Sequence, residues 1–174
     1  VDSEHTKKPR PMHKQSDGNR MRTCLAAVFA RETELLVLDE PGSSLDPLMR
    51  DRLCDRMREY LDLGDGRKSI IFSTHNIADM ENAADYAIFM DKGHVIEQGF
   101  IEELKDKYIV VSGDAEAWEQ AAPLLMSGSH NRTTFDGLAL AEHSADLAAM
   151  GVESAAPTLQ QLSVGLLKYA EEHR

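Results

Sequence analysis

Cysteine is scarce in this sequence, and its placement argues against a disulfide-stapled fold. The 174 residues contain two cysteines, Cys24 and Cys54, and they do not form a Cys-x-x-Cys pair. A disulfide framework requires several cysteines at regular spacing. We therefore expect reduced thiols, as in a cytosolic protein.

Long apolar runs are also absent. No stretch approaches the roughly 20 apolar residues that span a bilayer, and no secretory signal peptide is visible. Hydrophobic residues make up 42% of the chain and charged residues 28%, a composition typical of packed soluble domains. The chain begins at Val1 rather than at a methionine, and we expect it to be a piece of a longer protein.

Positive charge is in short supply. The chain has 19 lysines and arginines against 30 aspartates and glutamates, a formal net charge of -11. Nucleic-acid backbones are bound by basic surfaces, so we expect no nucleic-acid partner, whereas a nucleotide needs only a local site. The stretch 1–14 is basic and has no hydrophobic period, which predicts a surface loop or the frayed end of a helical region.

Two adjacent carboxylates at the end of an apolar run are the most informative feature of the chain. Residues 35–38 are all apolar and lead directly into Asp39 and Glu40, which predicts a strand buried on both faces. Open parallel sheets bind ligands at the carboxyl ends of their strands, and a buried carboxylate is costly unless it is paired or holds a metal. We therefore expect a magnesium-holding aspartate and a water-activating glutamate beside a phosphate site. The simpler alternative is a buried strand followed by an acidic turn.

A helix with a capped start precedes this strand. Ser16 is a typical N-cap residue, and Gly18 follows it closely. Apolar residues at helical spacing mark one face of a helix that is predicted to end near Arg31; they are Met21, Leu25, Val28 and Phe29. The first turn of such a helix suits anion binding, because its amides point outward and the helix dipole favours negative charge. The alternative is a serine cap with a purely structural role.

A second helix and a second strand follow. Asp46 precedes a proline, and this pair is a strong helix start with the aspartate as N-cap. Residues 69–74 predict another buried strand, which ends at His75. The order strand, helix, strand predicts a right-handed parallel crossover. Such a crossover would place Asp39, Glu40 and His75 together at one edge of the sheet.

The second half of the chain has a different character. Strands at 86–90 and 95–98 are predicted to form a hairpin, and a helix is predicted over 100–107. Beyond Lys107 we expect a small α/β appendage. Its predicted elements are a strand at 108–111, a helix over 116–126 interrupted at Pro123, a hairpin of 132–135 with 138–141 through Asp136-Gly137, and an amphipathic helix over 158–172.

The order of these motifs resembles the ATP-binding cassette (ABC) ATPases. The stretches that carry the resemblance are Ser16-Asp17-Gly18-Asn19, residues 35–40, Ser44-Leu45-Asp46 and Ser73-Thr74-His75. In that family they would be the signature motif, the Walker B strand, the D-loop and the switch histidine, at similar distances from one another. The resemblance covers about residues 15–99. The tail around Pro157 is similar to the ends of ATPases from bacterial exporters.

The resemblance implies an architecture. The expected fold is α/β, a P-loop NTPase-like (RecA-like) parallel sheet with flanking helices, incomplete at the N-terminus. We expect a remnant of a helical subdomain with the signature motif at 1–30, the C-terminal half of the ATPase core at 31–107, and the small α/β appendage at 108–174. In the family, two cassettes sandwich ATP head to tail. Their closure drives transmembrane permease subunits. The cassettes themselves are peripheral and lie at the cytoplasmic face of the inner (plasma) membrane.

The resemblance also implies roles for the residues at the sheet edge. Asp39 would hold Mg²⁺, usually through water, and Glu40 would polarise the water that attacks ATP. His75 would contact the γ-phosphate and help to organise that water.

Other residues would act across the interface between two cassettes. Ser16 and Gly18 would present a helix N-terminus to the γ-phosphate of ATP held by the opposite subunit, and Asp46 would couple the two sites. The signature departs from the family's leucine-serine-glycine-glycine-glutamine at its first, third and fifth places, where this chain has Gln15, Asp17 and Asn19. Asp17 brings a carboxylate close to the docking phosphate, and like charges should weaken binding or slow closure.

The largest departure is an absence. A P-loop needs the pattern G-x-x-x-x-G-K-[ST], whose amides and lysine cradle the phosphates, and no glycine in this chain is followed by lysine. The family's glutamine loop and adenine-stacking aromatic residue lie upstream of the signature motif and are missing as well. We therefore expect the carboxyl-terminal part of a cassette, with a natural protein that dispenses with the P-loop as the alternative.

Three functions compete. The first is the ATP- and Mg²⁺-dependent ATPase subunit of an ABC transporter, inactive in the form of this fragment. The second is a soluble ABC-fold ATPase that works on DNA or ribosomes; the acidic charge and the lack of long coiled-coil or zinc segments count against it. The third is a catalytically dead, cassette-like interaction module. The cassette does not touch the transported substrate, so the sequence predicts none.

Overall fold

The computed structural model describes residue 11, residue 14 and residues 16–173, without the side chains of residues 79 and 80. The loop predicted within 1–14 therefore lies almost entirely outside the described residues, as does Gln15. The chain divides into two compact units, Val1–Ala83 and Ala84–Arg174. None of the helices in the described part of the chain combines the length and the apolar character needed to cross a bilayer.

The first unit is a strand–helix–strand crossover with a helix before it. Its elements are α1 (Asp17–Phe29), β1 (Leu35–Asp39), α2 (Pro47–Asp62), β2 (Ser69–Ser73), α3 (Ile77–Met80) and a 3-10 turn at Glu81–Ala83. β1 and β2 are parallel, in continuous register from Leu35 opposite Ser69 to Asp39 opposite Ser73. The predicted parallel pairing is thus confirmed.

The core of this unit lies between the two long helices and one face of the strands. Its buried members are Leu38, Leu45, Leu53, Cys54 and Met57. The face predicted for α1, from Met21 to Phe29, packs against this core. Burial raises the pKa of the Cys54 thiol, and a protonated, buried thiol is chemically inert.

The prediction that β1 is buried on both faces is wrong. Leu36 and Leu38 are buried, whereas Leu35 is 50% and Val37 72% exposed. Apolar runs are typical of parallel strands because helices normally cover both faces of a parallel sheet. Here β1 pairs with β2 alone within the described residues, and the unit's core covers only the face that carries Leu38.

The second unit begins with the predicted hairpin. β3 (Tyr86–Asp91) and β4 (His94–Phe100) are antiparallel. The turn residues Lys92 and Gly93 have φ values of 47° and 83°, and positive φ at both positions is the requirement of a type I′ turn. Helix α4 (Ile101–Lys107) follows, as predicted.

The rest of the second unit is a four-stranded antiparallel sheet with helices. Its elements are β5 (Tyr108–Asp114), α5 (Trp118–Ala121), β6 (Leu125–His130), β7 (Thr134–Leu140), α6 (Ser144–Ala149), β8 (Glu153–Ala155) and α7 (Leu159–Glu172). The strand order is β6-β7-β5-β8. A β-α-β-β-α-β chain with this order has the ferredoxin-like arrangement. α7 starts with a capping box made by Thr158 and Gln161.

The helix predicted over 116–126 is wrong in its second half. The chain leaves the α-helical conformation after Ala121 and passes through a 3-10 turn that contains Pro123. Proline has no amide to donate in a helix interior, which favours this early end. Leu125 then begins β6.

The hairpin predicted through Asp136-Gly137 is also wrong, because both residues lie inside β7. A Cβ at position 137 would lie 2.8 Å from the backbone oxygen of Ser127, so this glycine allows close strand contact rather than a turn. The turn lies earlier, where Asn131 Oδ1 accepts hydrogen bonds from the amides of Thr133 and Thr134 at 2.9 and 3.0 Å.

A polar cluster joins β4, α4 and β5 in the second unit. Glu97 Oε2 accepts hydrogen bonds from Lys107 Nζ at 2.5 Å and from the Tyr108 hydroxyl. Burial alone raises the pKa of Glu97, but the hydrogen bonds from Lys107, Tyr108 and the Gln98 amide outweigh it, and the net pKa is lowered from 4.5. The same contacts with Glu97 and Tyr108 raise the pKa of Lys107.

Replacing Glu97 with glutamine should destabilise the second unit by about 1 kcal/mol at pH 7, since Lys107 is half exposed and its pairing is screened. The pKa of Glu97 is lower in the folded state than its unfolded value of 4.5. At pH values above 4.5 the carboxylate therefore contributes its full stabilisation to the folded state. This stabilisation is lost as the pH falls through the folded pKa. Urea unfolding at pH 7 and pH 3 should therefore show a gap between wild type and variant that closes at the lower pH. Glu103→Gln on the exposed side of α4 is the matched control, and a gap of equal size at both pH values would refute the assignment.

Candidate functional site

The carboxyl ends of β1 and β2 lie side by side. The parallel register puts Asp39 directly opposite Ser73, and the next residues along, Glu40 and His75, extend beyond the strands. The structure therefore brings together the three residues that the sequence placed at this edge. The site lies entirely within the first unit.

Ser73 connects the ends of the two strands. Its hydroxyl donates a hydrogen bond to Asp39 Oδ1 and accepts one from the Glu40 amide at 3.2 Å. The Ser73 carbonyl also accepts from the Glu40 amide, at 3.1 Å. Glu40 has a φ of 46°, a left-handed conformation that is uncommon for a residue with a long side chain and costs free energy unless its surroundings enforce it.

Glu40 turns its carboxylate toward His75. Glu40 Oε1 accepts a hydrogen bond from the His75 amide at 2.9 Å and lies 2.7 Å from His75 Nδ1. A carboxylate oxygen only accepts, so Nδ1 carries the hydrogen of this pair and Nε2 is the remaining polar atom of the ring. The Glu40 side chain is 32% exposed and the His75 side chain 78%.

The second carboxylate oxygen of Glu40 has no partner. Oε2 is buried and makes no hydrogen bond. A buried charged oxygen without a donor is costly and rare in native structures. Among the described residues, this oxygen is the part of the sheet edge that still lacks a hydrogen-bond donor.

The loop after β1 is held by α2. Asp46 is the N-cap of α2, and its Oδ1 accepts from the Met49 amide at 3.0 Å. Arg50 Nε donates to the carbonyls of Gly42 and Leu45 at 3.2 and 3.0 Å. The structural role predicted for Asp46 is thus observed, and its carboxylate stays on the surface.

The start of α1 lies beside the same loop. Ser16 is the N-cap, and its hydroxyl accepts from the Asn19 amide at 3.4 Å. A Cβ at position 18 would lie 3.0 Å from the backbone oxygen of Ser44, so Gly18 permits close contact between the helix and the loop. Asp17 forms an ion pair with Arg20 in the first turn, which offsets part of its negative charge at the helix N-terminus.

The donor set at the sheet edge suits Mg²⁺ bound together with phosphates. Among the residues that the structure describes, no group of three or more His, Cys, Asp or Glu side chains could enclose a metal ion. Mg²⁺ usually keeps several waters and binds through one or two carboxylates plus substrate phosphates. Asp39, with one oxygen bound to Ser73, retains Oδ2 for such a water-mediated contact.

The sequence assigns no role to Ser73 beyond its place in the stretch Ser73-Thr74-His75, and none to Arg50. The position of Ser73 opposite Asp39 follows only from the register of β1 and β2. Arg50 lies one turn after the N-cap Asp46, and the chain offers no spacing signal that would separate it from the other arginines of α2. Both residues act through the backbone of a neighbouring loop or strand, which a linear sequence does not display.

A family of P-loop ATPases matches this part of the chain. Residues 3–80 match the model of the family described as "AAA domain, putative AbiEii toxin, Type IV TA system". Curated relatives share sequence with about half of the chain. A putative ABC transporter ATP-binding protein of Methanosarcina mazei is 38% identical over 92 residues, 53% of this chain and 20% of the relative.

Two further relatives carry transporter names. A phosphate import ATP-binding protein of Thermotoga maritima is 36% identical over 92 residues, 53% of this chain and 35% of its own. An uncharacterized ABC transporter ATP-binding protein of Bacillus subtilis is 32% identical over 114 residues, 62% of this chain and 37% of its own. These matches confirm the resemblance to the ABC ATPases. They also confirm the predicted α/β, P-loop NTPase-like fold class.

The match to the ABC ATPases is partial on both sides. The chain spans between 20% and 37% of the length of these relatives. The activities and partners of these relatives are therefore properties of much longer proteins.

Proposed function

We propose that this chain contributes the metal- and water-handling half of an ABC-type ATP-hydrolysis site. The observation that carries the proposal is the buried, unpartnered Oε2 of Glu40 at the ends of two parallel strands. Its other oxygen is held by His75, so the carboxylate has one fixed and one reactive side. A positioned base near the γ-phosphate is what ATP hydrolysis requires.

In the proposed reaction, the oxygen of a water molecule attacks the γ-phosphorus while the bond to the bridging β,γ-oxygen breaks. Glu40 Oε2 accepts the proton that the water releases. Mg²⁺ neutralises charge on the β- and γ-phosphates when it is bound, and Asp39 is the residue that would hold it. His75 keeps the Glu40 carboxylate in place through its amide and Nδ1.

The proposal extends to a dimer of cassettes. Ser16 and Gly18 would meet the ATP of an opposite cassette at the N-terminus of α1, and the exposed carboxylate of Asp46 would reach the same interface. The ion pair between Asp17 and Arg20 reduces the repulsion that Asp17 would otherwise exert on a phosphate. We therefore propose a signature contact that is weakened but not abolished.

We further propose that the assembly powers transport through permease subunits, as a peripheral protein on the cytoplasmic face of the membrane. The names of the relatives, which include an ABC transporter ATP-binding protein and a phosphate import ATP-binding protein, support this function. The net charge of -11 supports it over an ABC-fold ATPase that acts on nucleic acid.

A fusion tests the proposed function. The part of the Thermotoga relative that precedes its match to this chain, where the family resemblance places a P-loop, is joined to this chain. We expect ATP hydrolysis that requires Mg²⁺ and stops in EDTA. The same fusion with the P-loop lysine changed to alanine is the control. A folded, ATP-binding fusion that releases no phosphate would favour the interaction module instead.

A further inference from the structure

Ser73 makes contact with both acids of the sheet edge. Its hydroxyl donates a hydrogen bond to Asp39 Oδ1 and accepts one from the Glu40 amide at 3.2 Å. One side chain on β2 is thus bound to two consecutive residues of β1. The strand pairing alone would need only the Ser73 carbonyl, which accepts the same amide at 3.1 Å.

The bond to Asp39 determines which way that carboxylate faces. Asp39 is exposed at the end of its strand, and an exposed aspartate normally exchanges among staggered rotamers. With Oδ1 bound to the Ser73 hydroxyl, one rotamer is favoured and Oδ2 is the oxygen left for a ligand. Partners of this kind orient metal-binding carboxylates in many proteins.

The hydrogen bonds between Ser73 and the Glu40 amide hold Glu40 in an unfavourable backbone conformation. Glu40 has a φ of 46°, and such a conformation persists only where the surroundings over-determine it. Its amide is held by two acceptors that both belong to Ser73. This backbone is what directs the Glu40 side chain to His75 and leaves Oε2 buried.

We propose that Ser73 is a positioning residue that sets the geometry of the metal-holding Asp39 and of the water-activating Glu40 at once. The proposal rests on the function proposed above and adds a residue to it. Valine also suits the last residue of a strand, so strand formation alone does not call for the hydroxyl that contacts both acids.

The test uses the chain without nucleotide and compares two variants of nearly equal shape. Ser73→Thr keeps the hydroxyl and Ser73→Val replaces it with a methyl group, while both favour a strand. Three-bond NMR couplings report the χ1 rotamer of Asp39. Hydrogen exchange of the Glu40 amide reports how firmly the Ser73 hydroxyl and carbonyl hold it. Ser69→Val, at the other end of β2, is the matched control.

We expect wild type, Ser73→Thr and Ser69→Val to show a single Asp39 rotamer. Ser73→Val should show averaged couplings and a Glu40 amide that exchanges about fivefold faster, the effect of losing one hydrogen bond. Unchanged couplings or an unchanged exchange rate of the Glu40 amide in Ser73→Val would overturn the proposal. These readouts need no ATP turnover, so an inactive fusion would count against the proposed function and leave this result intact.

Discussion

The chain of 174 residues is expected to bind ATP with a dissociation constant on the order of 1 mM or weaker and to hydrolyse none of it. Most of the affinity for ATP comes from backbone amides and a lysine that cradle the phosphates in a P-loop. No glycine of this chain is followed by lysine. What the chain offers is a carboxylate edge, and two acids repel a triphosphate unless Mg²⁺ lies between them.

Isothermal titration calorimetry with MgATP measures this affinity directly. The fusion with a P-loop serves as the positive control, because it contains the same sheet edge plus the phosphate cradle. Micromolar binding by the chain alone would contradict the proposal that ATP affinity depends on a P-loop and hydrolysis on this sheet edge. It would mean that another part of the chain replaces the P-loop.

Glu40→Gln should reduce phosphate release by the fusion by about 10²–10⁴-fold while ATP binding survives. Glutamine preserves the size of the side chain and can still accept from the His75 amide, which now binds Glu40 Oε1 at 2.9 Å. It cannot take a proton from water at Oε2. The loss should therefore appear in turnover and not in nucleotide affinity.

Glu34→Gln is the matched control for this substitution, since Glu34 is an exposed acid just before the other end of β1. We expect it to leave turnover within about twofold of the wild-type fusion. Cassette dimers formed with ATP should persist in Glu40→Gln, because hydrolysis no longer resets them. Normal turnover by Glu40→Gln would remove Glu40 from the role of base.

The sheet edge could be predicted because its signals are local. An apolar run that ends in two acids, followed by a capped helix and a second run that ends in histidine, places three side chains by topology alone. The contacts of Glu40 with His75 agree with that placement. The hairpin of β3 and β4 was predictable for the same reason, since Lys92 and Gly93 satisfy a two-residue turn.

Burial was not predictable from the same run. Residues 35–38 are uniformly apolar, and such a run indicates cover on both faces. Whether that cover exists depends on neighbouring strands and helices, and in the described chain Val37 is 72% exposed. The sequence pattern indicates that both faces of β1 are suited to burial. Which faces are buried depends on the strands and helices that pack against them.

One hairpin of the ferredoxin-like sheet was predicted at the wrong place because glycine occurs both in turns and inside strands. Asp136-Gly137 has the composition of a hairpin turn, yet Gly137 lies inside β7 and lets Ser127 of β6 approach closely. Distinguishing the two uses requires knowledge of the partner strand, which is distant information. The same limit hid Ser73, whose importance appears only when β1 and β2 are paired in register.

Phosphate release at saturating MgATP, measured for the P-loop fusion and for its Glu40→Gln variant, tests the central claim most directly. We expect steady turnover in the fusion that keeps Glu40 and a loss of about 10²–10⁴-fold in the variant, with ATP bound equally well by both. Equal rates from the two proteins would contradict it.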